Sequence, residues 1–208
     1  MNAKHTLYNG IGYRSRMEAK WALVLDELDI VYEYEQHLKR LDIRYLDVED
    51  VTDELEGLLH RDGFLYYLPD FYLPELGIYL EIKGKEPTKV EEAKAKLLSI
   101  NYPVIMLCGG IPTLLLLRRG EETPEKGYLY TYDDEYQRRS PVYLASCLHC
   151  GKVGFRVCNE FVLPCCDCIP KCITCLSEDI EAAYNKAYYH PFEDIEGDLP
   201  YPNLRAEI

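Results

Sequence analysis

The spacing of apolar residues predicts two amphipathic helices. In the first, from residue 13 to residue 30, the repeating apolar positions are Met17, Trp21, Val24, Leu25 and Leu28. The second begins at residue 88, and its inward-facing positions are Val90, Ala93, Leu97 and Ile100. Each start has a hydroxyl residue followed three positions later by a glutamate, Ser15 with Glu18 and Thr88 with Glu91, which is the pattern of a capping box.

Shorter apolar runs predict strands. Residues 64–73 and 78–83 are rich in aromatic and aliphatic side chains, and the turn sequence at 74–77 separates them, which predicts a hairpin. Residues 103–108 predict a buried parallel neighbour of the second hairpin strand. Further strands are predicted at residues 31–35, 114–117 and 128–132. This order of elements predicts an α/β fold with a mixed central sheet flanked by helices.

The hairpin places two acidic residues opposite each other. If residues 74–77 form the turn, Leu73 pairs with Ile78 and Asp70 lies opposite Glu81. Two facing carboxylates repel, and a divalent cation between them reverses that effect, with Mg²⁺ or Mn²⁺ suited to oxygen ligands. Lys83 lies on the same strand face as Glu81, where an ammonium can orient a water or stabilise charge on a phosphate. A solvent-facing Glu81–Lys83 charge pair is the alternative, and the apolar strand around the two residues favours the site.

These motifs resemble the PD-(D/E)XK nuclease superfamily, particularly a phage-type branch. The matching segments are RSRMEAKW at 14–21, LPDFYLP at 68–74, EIK at 81–83 and EPT at 86–88 before a helix. The resemblance implies a restriction-endonuclease-like core that cleaves phosphodiester bonds, with Asp70 and Glu81 as Mg²⁺ (or Mn²⁺) ligands and Lys83 in catalysis. It also implies that Glu18 reaches the metal as a further carboxylate, although the capping box accounts for Glu18 equally well.

The cysteines predict a small zinc module. Cys108 stands alone, and all other cysteines fall between residues 147 and 175, which in a reducing cytosol indicates metal ligation rather than disulfides. Four thiolates form a closed structural Zn²⁺ site, and an iron–sulfur cluster is the alternative. The predicted zinc ligands are Cys147, Cys150, Cys165 and Cys168, with Cys166, Cys172 and Cys175 as alternatives.

Composition and charge limit the classes of function. The chain is 48% hydrophobic and 28% charged, which is typical of a globular protein. Its net charge of -13 disfavours a protein that coats nucleic acid non-specifically, and local basic patches are still available for DNA contact. The candidates for such contacts are Arg14, Arg16, Lys20, Lys39, Arg40 and Arg44. We find neither a membrane-length apolar run nor a secretory signal, so a cytoplasmic location is expected, the host cytosol if the chain is phage-encoded.

The predicted organisation has three parts: a nuclease-like core at residues 1–140, a cysteine-rich zinc module at 141–176 and an acidic helix and tail at 177–208. The leading hypothesis is a metal-dependent DNA endonuclease in phage or mobile-element DNA processing or defence. The first alternative is a catalytically silent nuclease-like protein that binds DNA or serves in assembly. Intact Asp70, Glu81 and Lys83 disfavour it. The second is a zinc-dependent interaction module whose acidic tail binds a basic partner, which leaves the hairpin unexplained.

Overall fold

The structure, a computed structural model, describes residues 4–111, 127–133, 136–147, 149–157, 160–161, 173–174 and 177–197. The chain divides into two compact units. Unit 1 draws on residues 1–31, 109–127 and 141–201, and unit 2 on residues 32–108, 128–140 and 202–208. Within the described ranges, no helix has the length and apolar character needed to cross a membrane.

The described chain contains both helices and strands. The helices are α1 (Arg16–Glu27), α2 (Asp53–Glu56), α3 (Lys89–Ser99) and α4 (Glu178–Tyr189), with short 3-10 helices at Ile43–Tyr45 and Val48–Asp50. The strands are β1 (Thr6–Tyr8), β2 (Ile11–Tyr13), β3 (Glu33–Tyr34), β4 (Lys39–Leu41), β5 (Leu65–Tyr67), β6 (Phe71–Leu73), β7 (Ile78–Lys83), β8 (Val104–Cys108), β9 (Gly127–Asp133), β10 (Tyr136–Cys147), β11 (Val153–Val157), β12 (Glu160–Phe161), β13 (Ile173–Thr174) and β14 (Glu193–Asp194). The predicted α/β class with a mixed sheet is confirmed.

Unit 2 is built on a mixed sheet with strand order β10–β9–β8–β7–β6–β3, to which β10 contributes residues 136–140. β7 and β8 run parallel, from Tyr79 opposite Val104 to Lys83 opposite Cys108, which confirms the predicted parallel neighbour. β6 is antiparallel to both β7 and β3. All of β8 and all of β7 except Lys83 are buried, as expected for near-continuous apolar runs in the centre of a sheet.

α3 packs against β8 and carries one buried face. Val90, Ala93 and Leu97 lie in the core of unit 2. Thr88 Oγ1 accepts a hydrogen bond from the Glu91 N–H at 3.3 Å, and Glu91 Oε2 accepts one from the Thr88 N–H at 2.7 Å. The predicted capping box is therefore confirmed, and it fixes where the first turn of α3 begins.

In unit 1, α1 is shorter than predicted because a hairpin precedes it. β1 and β2 pair around Asn9 and Gly10, whose φ values of 48° and 77° suit a tight two-residue turn. Tyr13 pairs with Thr6 in this hairpin rather than opening the helix. Ser15 is the N-cap of α1, so the hydroxyl residue marks the start of the helix better than the apolar period does.

The remaining predicted strands have mixed outcomes. Residues 128–132 fall within β9, and the strand predicted at residues 31–35 shortens to β3. The apolar run at residues 114–117 lies outside the described residues. The three-part organisation with boundaries after residues 140 and 176 stays a prediction.

Candidate active site

The β6–β7 hairpin has the predicted register. Leu73 pairs with Ile78, and Phe71 pairs with Leu80. The turn closes through a hydrogen bond of 2.9 Å from the Gly77 N–H to the Leu73 carbonyl, and Gly77 has a φ of 66°, a conformation that glycine adopts without strain. Asp70 precedes β6 by one residue, so the same register places it across from Glu81.

Hydrogen bonds from backbone N–H groups to the carboxylates of Asp70 and Glu81 connect the two sides of the hairpin. The Asp70 N–H donates to Glu81 Oε1 at 3.2 Å, and Asp70 Oδ2 accepts from the Ile82 N–H at 2.7 Å. Glu81 is only 1% exposed. Because a buried carboxylate is unfavourable unless it is hydrogen-bonded and paired, these contacts offset the burial of Glu81.

Lys83 supplies the neighbouring positive charge. Its Nζ lies 2.9 Å from Glu81 Oε2 and 3.7 Å from Glu91 Oε1. Burial alone lowers the pKa of Lys83, but the charges of Glu81 and Asp70 outweigh burial and raise this pKa above its usual value. Lys83 is therefore an ammonium at neutral pH, and its ion pair joins the buried Glu81 to a lysine side chain that is 22% exposed.

Tyr67 belongs to the same cluster of side chains. It is buried at the end of β5, and its side chain is hydrogen-bonded to Glu81. Burial, followed by the charge of Glu81, raises the pKa of Tyr67 well above its usual value, so the phenol stays protonated and donates a hydrogen bond to the Glu81 carboxylate. The neighbouring Tyr66 is exposed instead, and its hydroxyl donates to Asp62 at 2.8 Å.

A strained backbone position adjoins Asp70. The Glu35 N–H donates to the Asp70 carbonyl at 2.8 Å, and Glu35 has a φ of 45°, in the left-handed region that disfavours residues with a side chain. Strain of this kind persists only where surrounding contacts impose it, and it is concentrated at functional sites. The sequence contains no signal for this conformation, since Glu35 is neither glycine nor asparagine.

Lys94 on α3 is a further lysine near the cluster. Its Nζ lies 5.7 Å from the centroid of the Tyr67 ring, and the side chain is half-buried. Burial and the nearby Lys83 both lower the pKa of Lys94, while Glu81 and Glu91 act in the opposite direction. Within the described part of the chain, Lys94 has no hydrogen bond and no ion pair.

The three residues of unit 2 that are predicted to contact DNA all contact neighbouring side chains. Lys39 Nζ lies 5.2 Å and 5.0 Å from the ring centroids of Tyr79 and Tyr102. The Arg44 guanidinium pairs with Asp42 at 2.5 Å. The Arg40 guanidinium stacks on the ring of Phe64, 3.4 Å from its centroid. Their part in DNA binding stays a prediction.

Glu18 belongs to unit 1, whereas Asp70, Glu81 and Lys83 belong to unit 2. The Ser15 hydroxyl donates to Glu18 Oε1 at 2.6 Å. This hydrogen bond gives the buried Glu18 carboxylate a partner within unit 1. The part of Glu18 in a metal site stays a prediction.

The candidate metal ligands of unit 2 are the side chains of Asp70 and Glu81. Among the described residues, no group of three or more histidine, cysteine or acidic side chains is arranged as a metal site. Asp70 and Glu81 are a pair of carboxylates. Mg²⁺ keeps several waters and is held in nucleotide-processing sites by one or two carboxylates with substrate phosphates, so this pair fits Mg²⁺.

Two of the predicted zinc ligands are described. Cys147 is buried at the end of β10, and Cys150 is exposed. The Gly151 N–H donates to the Cys147 carbonyl at 2.8 Å, and Gly151 has a φ of 73°, so the chain turns sharply after the CxxC pair as a knuckle requires. Cys165, Cys166, Cys168, Cys172 and Cys175 lie outside the described residues, and zinc binding stays a prediction.

No family model matches the chain, and no curated protein or solved structure gives a significant match.

Proposed function

We propose that this protein is a Mg²⁺-dependent DNA endonuclease whose hydrolytic site lies on the β6–β7 hairpin of a restriction-endonuclease-like core. The observation that supports this most is the carboxylate pair of half-buried Asp70 and buried Glu81, with the Lys83 ammonium 2.9 Å from Glu81. The sequence motifs around these residues support the same reaction class.

A purely structural role explains this cluster less well. Replacing a buried ion pair by apolar residues of similar volume is often neutral or stabilising, so stability alone gives little reason to keep one. Here a glutamate that is 1% exposed lies between the apolar residues Leu80 and Ile82 of a central strand. Perturbed ionisable groups concentrate at functional sites, and the raised pKa values of Lys83 and Tyr67 fit that tendency.

Each residue has a distinct part in the proposed reaction. Asp70 and Glu81 would hold Mg²⁺, which when bound polarises a phosphate and makes a water more acidic. Lys83 stabilises negative charge on the phosphate oxygens, and its raised pKa makes it a cation rather than a general base. Tyr67 and the Asp70 N–H keep the Glu81 carboxylate in a fixed orientation.

One observation favours a second candidate, a catalytically silent DNA-binding protein. Glu81 already receives hydrogen bonds from Tyr67 and Asp70 and pairs with Lys83, as an inert buried network would require. The two candidates differ in whether phosphodiester bonds are broken.

Cleavage of plasmid and labelled oligonucleotides in Mg²⁺ or Mn²⁺ separates these candidates. Wild-type protein should cut, and Asp70→Asn and Glu81→Gln should each lower the rate at least about 100-fold because a metal ligand is lost. Glu75→Gln is the matched control, since Glu75 is an exposed acid in the turn of the same hairpin. Its rate should equal that of the wild type.

Two results would contradict the proposal. One is equal cleavage by the wild type, Asp70→Asn and Glu81→Gln. The other is no cleavage of duplex, single-stranded, nicked or branched DNA by a wild type that binds DNA, which would favour the silent protein.

A further inference from the structure

We propose that Lys94 is a phosphate-binding residue of this site, contacting a non-bridging oxygen of the DNA backbone next to the carboxylate pair. This assignment rests on the proposed function. It adds a substrate contact from α3 to a site otherwise built on the hairpin.

The first step is the position of Lys94. The capping box holds the start of α3, and Glu91 in the first turn reaches to 3.7 Å from Lys83 Nζ. Lys94 lies one turn further along the same side of the helix, because residues three apart are neighbours on a helix surface. Its ammonium lies over the ring of Tyr67, the residue bonded to Glu81. Lys94 therefore adjoins the cluster from the helix side.

The second step is the state of its charge. Comparable lysines of unit 2 have partners: Lys83 pairs with Glu81, and Lys96 on the same helix pairs with Asp50 at 2.5 Å. Lys94 is half-buried and, within the described residues, has neither a hydrogen bond nor an ion pair. Partial burial of an ammonium that lacks an acceptor is unfavourable, and an anionic ligand removes that penalty.

The third step is the charge balance for a substrate. Asp70, Glu81, Glu91 and Glu54 outnumber the two ammonium groups of Lys83 and Lys94. A bound divalent cation offsets this negative excess. Without Lys94 the site would stay negative even with the cation bound, so the Lys94 ammonium favours the approach of a DNA phosphate.

The test is the salt dependence of DNA binding, measured by fluorescence anisotropy with a labelled duplex and with Ca²⁺ in place of Mg²⁺. Lys94→Gln should weaken binding about tenfold and lower the slope of log affinity against log salt by about 0.9, the value for one phosphate contact on duplex DNA. Lys94→Arg should restore the slope because a cation is retained. Lys89→Gln is the matched control, with the same charge change at an exposed position of the same helix, and should keep the wild-type slope.

Thermal unfolding of the same variants separates a contact from a structural role. Because the Lys94 ammonium has a ring contact with Tyr67 but no hydrogen bond or ion pair in the described part of the chain, the melting temperature of Lys94→Gln should stay close to that of the wild type. A lower melting temperature with an unchanged salt slope would overturn the assignment in favour of packing. A wild-type slope and cleavage rate in Lys94→Gln would also overturn it, while leaving the endonuclease intact. Wild-type protein that neither binds nor cuts DNA would overturn the proposed function and this contact together.

Discussion

At the scale of single residues, the least predictable features are those that depend on three-dimensional neighbours. Asp70, Glu81 and Lys83 could be predicted because a turn length and a two-residue strand period place them. Tyr67 and Lys94 approach Glu81 from other elements, and no local pattern relates them to the hairpin. For Lys94 the sequence offers one signal. It follows the buried Val90 by four residues, which places it beside the apolar face of the helix.

The two adjacent tyrosines at the end of β5 provide a sharp test of the network. Tyr67→Phe removes the hydroxyl that donates to the buried Glu81 carboxylate, and the free energy of unfolding should fall by about 2 kcal/mol, as for a hydrogen bond to a charged group. Tyr66→Phe is the control, because its hydroxyl bonds an exposed aspartate, and it should leave stability unchanged. Urea unfolding measures both. Equal stability of the two variants would contradict a Tyr67–Glu81 hydrogen bond.

At the scale of secondary-structure elements, the sequence was most informative where capping and turn residues mark the boundaries. The start of α3 and the hairpin register were predicted from such residues and are confirmed. The β1–β2 hairpin was missed although Asn9–Gly10 is a strong two-residue turn signal. β10 was missed because Pro141 and neighbouring polar residues interrupt the alternation expected of a strand.

The capping box of α3 links helix stability to the site. Thr88→Ala removes the hydroxyl that accepts from the Glu91 N–H, and it should lower the free energy of unfolding by about 1 kcal/mol. Because the first turn carries Glu91 and the next carries Lys94, the cleavage rate of the folded variant should fall as well. Thr88→Ser keeps a capping hydroxyl and should behave as the wild type in both measurements. An unchanged cleavage rate in Thr88→Ala would show that the start of α3 does not position the site.

At the scale of the whole molecule, the negative net charge disfavours DNA binding, except where basic side chains or a bound cation supply local positive charge. A net charge of -13 repels a polyanion, so the DNA binding that we propose would have to come from a bound cation and a few lysines or arginines. In unit 2, the β6–β7 hairpin of the mixed sheet, the end of β5 in its two-stranded sheet with β4, and the start of α3 meet around Glu81. The order of elements along the chain predicted the sheet. The alternation of two units along the chain was not predicted, since composition does not record which segments pack together.

The most direct test of the central claim is anomalous diffraction from crystals grown with Mn²⁺ and a DNA oligonucleotide. We expect an anomalous peak with carboxylate oxygens of both Asp70 and Glu81 about 2.1 Å away, and a DNA phosphate oxygen completing the coordination. Mn²⁺ bound only at sites that include neither carboxylate would contradict the proposed active site. So would a DNA complex in which no cation lies between them.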